Sequence, residues 1–287
     1  MVRLLCVWYP TGERMAELIQ QVMVVALLVS VMLAMGLELT SRQLLDSVRP
    51  PGPMLFTLVL NLLVVPAAAW ALTRAASLPA EAAAGILLCA FSPGGGTGAL
   101  LTTHARGNVA FSVALLALLS LASAFTTPLW VSVALPTPQP VEMGAVARSV
   151  LGTLVVLQVL PLAAGMALRR VSPPRADRLR RVFSTTGTVL LAVLVVGLLG
   201  RHGARALELG AAPLGVMTAC VGISLGTAWV LPSSWRAAGV MTTAVRNLST
   251  AILVATLHFP WPSVMLAILL YGLVMYLVSL AALAALR

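Results

Sequence analysis

The sequence predicts an all-α polytopic membrane protein, and three observations carry that prediction. Of 287 residues, 60% are hydrophobic and 9% are charged, against roughly 25% charged in an ordinary soluble domain. The mean hydropathy is +1.02. Apolar runs long enough for a bilayer core of about 30 Å recur along the whole chain. So few charges cannot cover a water-facing surface, and in lipid only helices or closed barrels satisfy their backbones.

The elements follow in order. About nine apolar runs of spanning length lie near 16–37, 54–73, 82–103, 108–135, 145–168, 182–200, 206–231, 237–258 and 262–286. Between them sit helix breakers: RPPGP at 49–53, PTPQP at 136–140, SPPRAD at 172–177 and LPSSW at 231–235. The N-terminal segment, residues 1–14, has too short an apolar stretch for a signal peptide.

The net charge of +10 comes from 18 arginines, with no lysine, against eight acids. The arginines occupy the short gaps rather than one solvated face, which argues for membrane orientation and against nucleic-acid binding. The loop RRVSPPRADRLRR, 169–181, supplies most of the bias. It predicts an outside N-terminus and a cytoplasmic C-terminus in a bacterial inner membrane. Cys6, Cys89 and Cys220 form no CxxC, and His104, His202 and His258 have no metal-binding spacing. Neither a metal nor a cofactor is expected, and the expected partners are the bilayer and one small solute, with the chain a monomer.

Two of the nine runs are interrupted. The third, GILLCAFSPGGGTGALLTTHA at 85–105, contains Pro93, which lacks a backbone donor, followed by Gly94, Gly95 and Gly96. A break there exposes peptide groups that cannot face lipid, so they must line a cavity. The half-helix after it would aim its positive amide end into that cavity. The eighth, GVMTTAVRNLSTAILVATLH at 239–258, is interrupted by polarity instead: Thr242, Thr243, Arg246, Asn247, Ser249 and Thr250. Hydroxyls alone would serve helix packing. An arginine at mid-depth costs about 2.5–3.5 kcal/mol on insertion scales and marks a functional site. The interrupted runs are an odd number of spans apart and therefore run in opposite directions. That arrangement marks an inverted-repeat transporter with its site at the midplane. The repeats would be 15–135, with four spans, and 144–287, with five.

These residues resemble the bile acid:sodium symporter family over almost the whole chain after residue 14. The likeness rests on MGLEL at 35–39, SPGGGTG at 92–98, ARGN at 105–108 with FSVALLALLS and TTP at 126–128, and AVRNLSTAILVATLHF at 244–259. The resemblance implies a core domain with two broken, crossing helices and a panel domain beside it. It implies an organic anion bound between them, with cations behind the crossing in sodium-coupled members. Substrate binding then falls to Gly94, Gly95, Gly96, Thr97, Arg246 and Asn247.

The departures from the family pattern concern the ion sites. Gly98 and Ala99 stand where such members carry a Ser-Asn pair. Thr242 replaces a glutamate, Ala244 a glycine and Arg246 a glutamine, while Asn247 and Ser112 are kept; Asn108 stands for an acidic residue. A guanidinium at about 4 Å repels a cation by on the order of 4 kcal/mol at an effective dielectric near 20. That matches the whole binding energy of a millimolar ion, about 4 kcal/mol. The expectation is a secondary transporter of organic anions, bile-acid-like or small carboxylate or sulfonate, working by alternating access without sodium. The alternative is an exporter of another ten-helix inverted-repeat family, auxin-efflux-like or arsenite-efflux-like. GISLG at 222–226 fits G-x-S-x-G, with His258 as a distant partner. An intramembrane serine hydrolase is weighed and set aside, because small residues of that kind serve close helix packing.

Overall fold

The computed structural model describes residues 11–40, 51–136, 142–202, 210–259 and 261–286. Cys6, Arg42, Arg49, Arg205, Glu208, most of the N-terminal segment and of the 136–140 breaker, and the start of the 206–231 run lie outside the described residues.

Among the described residues all regular structure is helical. The chain runs through α1 (Thr11–Glu38), α2 (Pro51–Ala75), α3 (Ala80–Ala90), α4 (Thr97–His104) and α5 (Val109–Ala134). There follow α6 (Met143–Leu154, a π turn Val155–Val159, then Leu160–Val171), α7 (Pro173–His202), α8 (Ala211–Ala228), α9 (Ser233–Ala244), α10 (Leu248–His258) and α11 (Pro262–Ala285). Among the described residues six helices are long and apolar enough to cross a membrane: α1, α2, α5, α6, α8 and α11. Leu18, Val22, Leu129, Val133, Val196 and Leu277 are each more than half exposed, the pattern of side chains facing lipid. The chain is a multi-pass membrane protein.

RPPGP and LPSSW each run into the start of a helix, at Pro51 and Ser233, and sequence and structure differ most at a third breaker. SPPRAD reads as a gap of six residues, yet only Ser172 separates α6 from α7, and Pro173 opens α7. Proline at the first helical position loses no intrahelical bond and brings a preset φ, so the residue that ends one helix starts the next.

The helices form two layers. α1, α6 and α7 pack on one another, and α2 to α5 pack with α8 to α11. α1 and α6 approach so closely that a Cβ on Gly36 would lie 2.2 Å from the Leu162 carbonyl oxygen, the small-residue contact of membrane helix pairs. α5, α10 and α11 meet the first layer along the seam.

Two helices carry a π turn just before a proline, Leu60–Val64 before Pro66 in α2 and Val155–Val159 before Pro161 in α6. Pro66 has no N–H for the carbonyl of Leu62, four residues back. The Trp130 indole of α5 donates to that oxygen at 2.8 Å instead, which keeps a partly buried acceptor satisfied and ties α2 to α5.

Candidate functional site

The interruptions at 91–96 and 245–247 meet. α3 closes at Ala90, with Phe91 N–H bonded to Leu87 O at 2.8 Å and the Thr127 hydroxyl donating to Phe91 O at 2.5 Å. Gly94 takes φ +90°, a conformation other residues rarely adopt. On the other side α9 ends at Ala244 and Val245 is extended. The two strips of extended backbone pair antiparallel at Pro93 and Arg246. Asn247 N–H donates to Ser92 O at 2.8 Å and Gly95 N–H to Val245 O at 3.4 Å. A Cβ on Gly95 would lie 2.4 Å from Arg246 O, so only glycine lets the strips come this close.

Four half-helices therefore converge on one crossing: the carboxyl ends of α3 and α9 and the amide ends of α4 and α10. The amide ends differ. Gly96, ahead of α4, is exposed and nothing lies within 4 Å of a Cβ built on it. Thr97 is half-buried, its hydroxyl 3.0 Å from that of Tyr276 on α11. α10 is capped by Asn247, whose side-chain oxygen accepts from Thr250 N–H at 3.2 Å. Over that turn lies Gln158, fully buried, from the π turn of α6. Its amide nitrogen donates to Ser120 O and, at 3.0 Å, to Ser123 Oγ of α5; its oxygen accepts from Thr250 Oγ1 at 3.2 Å.

The positions matching the family's cation ligands bond to one another. Ser112 and Thr242 hydroxyls are 2.7 Å apart, Thr102 Oγ1 donates to Ser112 Oγ at 3.2 Å, and it also reaches Gly98 O at 2.8 Å. All three side chains are fully buried. Gly98 packs so tightly on α9 that an added Cβ would sit 3.1 Å from Thr242 Cα. Ala99 next to it is half-buried and carries no polar group. Thr243 accepts from Asn61 Nδ2 of α2 at 2.9 Å. The oxygens a bare cation would need are few, neutral and engaged with each other.

The Arg246 side chain reaches α8 and α11. It is 1% exposed, the largest fully buried side chain among the described residues. Its Nη2 donates to Ser224 Oγ at 3.2 Å, and its backbone N–H to Met275 Sδ at 3.1 Å. The Tyr271 hydroxyl stands within reach of the guanidinium; apart from that contact, neither it nor Arg246 Nε and Nη1 has a hydrogen-bond partner among the described residues. Ser224, the serine of GISLG, spends its own proton on Cys220 O at 2.8 Å. Among the described residues it has no histidine partner of the kind a serine nucleophile uses.

The structure thus brings Gly94, Gly95, Gly96, Thr97, Arg246 and Asn247 to one place, and Ser112, Thr242, Gly98 and Ala99 to a second place beside it. Gln158, Ser120, Ser123, Ser224, Tyr271 and Asn61 complete the surroundings and were not singled out as binding residues from sequence. A lone amide inside each of the runs 54–73 and 145–168 was the available signal for Asn61 and Gln158.

Comparison with known proteins places this geometry. Residues 25–207 match the Sodium Bile acid symporter family. That stretch contains the first break and ends before the second. A Bacillus subtilis (strain 168) protein named uncharacterized sodium-dependent transporter YocS is 28% identical over 169 residues, 58% of this chain and 51% of that one. The probable sodium/metabolite cotransporter BASS1, chloroplastic, of Oryza sativa subsp. japonica is 37% identical over 101 residues, 35% of this chain and 25% of its own. The probable sodium/metabolite cotransporter BASS2, chloroplastic, of the same plant is 25% identical over 170 residues, covering 59% of this chain and 40% of its own. The alignments span about half or less of these relatives' lengths.

Proposed function

This chain belongs to the sodium bile acid symporter family, and from that premise we propose that it is a secondary transporter of small organic anions that works without sodium. The observation that carries the reading is the crossing itself. Two helix breaks pair through their backbones and aim the amide ends of α4 and α10 at one region. Each such end carries roughly half a positive charge, which attracts a carboxylate or sulfonate. Gly96 and Thr97 form the open end; Asn247, Thr250 and Gln158 cover the other.

Sodium independence follows from charge. The guanidinium of Arg246 supplies permanently, behind the crossing, the positive charge that a bound cation supplies transiently. The hydroxyl cluster of Thr102, Ser112 and Thr242 has no carboxylate to offset the dehydration of an ion. Alternating access would then be rocking of the α1–α6–α7 layer against the crossing layer. The polar seam at Gln158 would break and re-form in each cycle. We further propose two inverted repeats, 15–135 and 144–287, with the N-terminus outside and the C-terminus cytoplasmic in a bacterial plasma membrane.

The test is a thermal-shift screen of organic acids on the purified protein, in sodium and in choline buffers of equal chloride. The expected result is stabilisation by at least one organic acid to the same extent in both. Stabilisation seen only in sodium would overturn the sodium-independent reading; none by any organic anion would overturn the substrate class.

A further inference from the structure

The polar groups without partners nearest Arg246 among the described residues can all donate, whereas the unpartnered acceptor Asn61 Oδ1 lies with Thr243 instead. Arg246 Nε and Nη1 and Asn247 Nδ2 are donors only, and the hydroxyls of Ser92 and Tyr271 can donate. Ser92 and Asn247 are joined through the backbone at 2.8 Å, which ties the set to the crossing. Tyr271 lies beside the guanidinium, and Met275, one turn further along the same face of α11, accepts from the Arg246 backbone.

Among the described residues the charge has no ion-pair partner either. The ion pairs among the described residues are Arg148 with Glu142 and Arg169 with Asp177, on exposed carboxylates. Neither involves Arg246, which is 1% exposed. A buried charge without a counter-charge is among the most costly arrangements in a protein. Its hydrogen bond to Ser224 satisfies one nitrogen and leaves the charge as it was. Water could accept from these donors but would bring protons needing acceptors of their own and no charge. A monovalent anion meets both needs.

We propose that Arg246, with Tyr271 and Asn247, holds a small inorganic anion of chloride size between the crossing and helices α8 and α11. This site lies behind the crossing and meets the organic-anion site at the amide ends of α4 and α10 only through Asn247, the cap of α10. One charge on the protein calls for one on the ligand, which favours a halide over sulfate or phosphate. The guanidinium edge and the phenol give it directional N–H and O–H donors. The binding claim stands on the buried donors alone. Its consequence, that the anion stabilises the crossing and so activates transport, rests on the function proposed above. The chain would then respond to halide where sodium-coupled relatives respond to a cation.

The experiment uses the purified full chain in detergent, exchanged into gluconate. Saturable binding of radiolabelled chloride and the thermal midpoint are measured on adding choline chloride, sodium chloride, sodium gluconate and choline bromide. The expected result is a rise in midpoint with chloride or bromide whatever the cation, none with sodium gluconate, and saturable chloride binding. Arg246→Gln should abolish both responses. Tyr271→Phe, which keeps the ring, should weaken chloride binding about tenfold, the loss of one charge-assisted hydrogen bond. Equal midpoints in chloride and gluconate with no saturable binding in the wild-type chain would overturn the proposal. So would competition between chloride and an organic acid for a single site. Organic-acid binding that persists in gluconate while chloride binding is absent would sink the halide site and leave the transporter reading standing.

Discussion

The two halves of the crossing reach the same backbone geometry by opposite means. The first break, 91–96, is made by subtraction: a proline removes a donor, Gly94 adopts a positive φ, and Gly95 clears the space into which Arg246 O intrudes. Its amide end is open at Gly96. The second break, 245–247, is made by addition. Asn247 caps α10, Arg246 buries a charge, and Gln158 arrives from α6 to bond Thr250. The contrast teaches a division of labour. The glycine strip provides access and fit, while the polar strip provides charge and contact with the other layer.

Substitutions can break or sharpen that contrast. The largest expected effect is at Gly95. Gly95→Val puts side-chain atoms into the Arg246 carbonyl and should cost on the order of 3 kcal/mol or more, read as a lowered midpoint in detergent and loss of organic-anion uptake. Gly96→Ala, one residue away with nothing in reach, should leave the midpoint unchanged within about 0.5 kcal/mol. Equal damage from both would remove the claim that subtraction acts at specific positions.

Arg246→Gln comes next. It removes the buried charge while keeping a polar, neutral side chain, so folding should survive and uptake should fall about tenfold or more, a loss of roughly 1.4 kcal/mol in anion attraction. Combining it with Thr242→Glu restores a carboxylate beside Ser112 and removes the repelling guanidinium. That pair should gain a sodium-dependent rise in midpoint that neither parent shows.

Gln158→Leu removes the amide that joins the layers. Ser123 and Thr250 lose a partner, at about 1–2 kcal/mol in stability. Because the bond crosses the seam, the apparent affinity for substrate should change more than in a variant within one layer. Asn247→Ala should show the smallest loss, about 1 kcal/mol of capping, with α10 shortened at its first turn.

How much of this is legible in the sequence depends on whether a feature is local. The first break was readable because proline and glycine act on their own backbone, and SPGGGTG puts four of them in a row. Arg246 and Asn247 were readable because a charge and an amide in an apolar run have no local excuse. The partners were not. Ser224, Tyr271 and Gln158 lie on helices distant in sequence from the breaks, and a serine, a tyrosine or one amide in an apolar helix reads equally well as packing. The π turns were hidden for a related reason. Pro66 and Pro161 announce a disturbance, but whether it becomes a kink or a π turn depends on neighbours such as Trp130. SPPRAD misled in the other direction, since Pro173 starts a helix as readily as it ends one.

The claim underneath all of this is that a fixed guanidinium stands in for a mobile cation. Purified chain reconstituted into liposomes, given a labelled organic acid that the thermal screen has identified, tests it most directly. Uptake is measured in sodium and in choline with chloride and membrane potential held constant. The account predicts equal initial rates in the two cations. Uptake confined to sodium would contradict it.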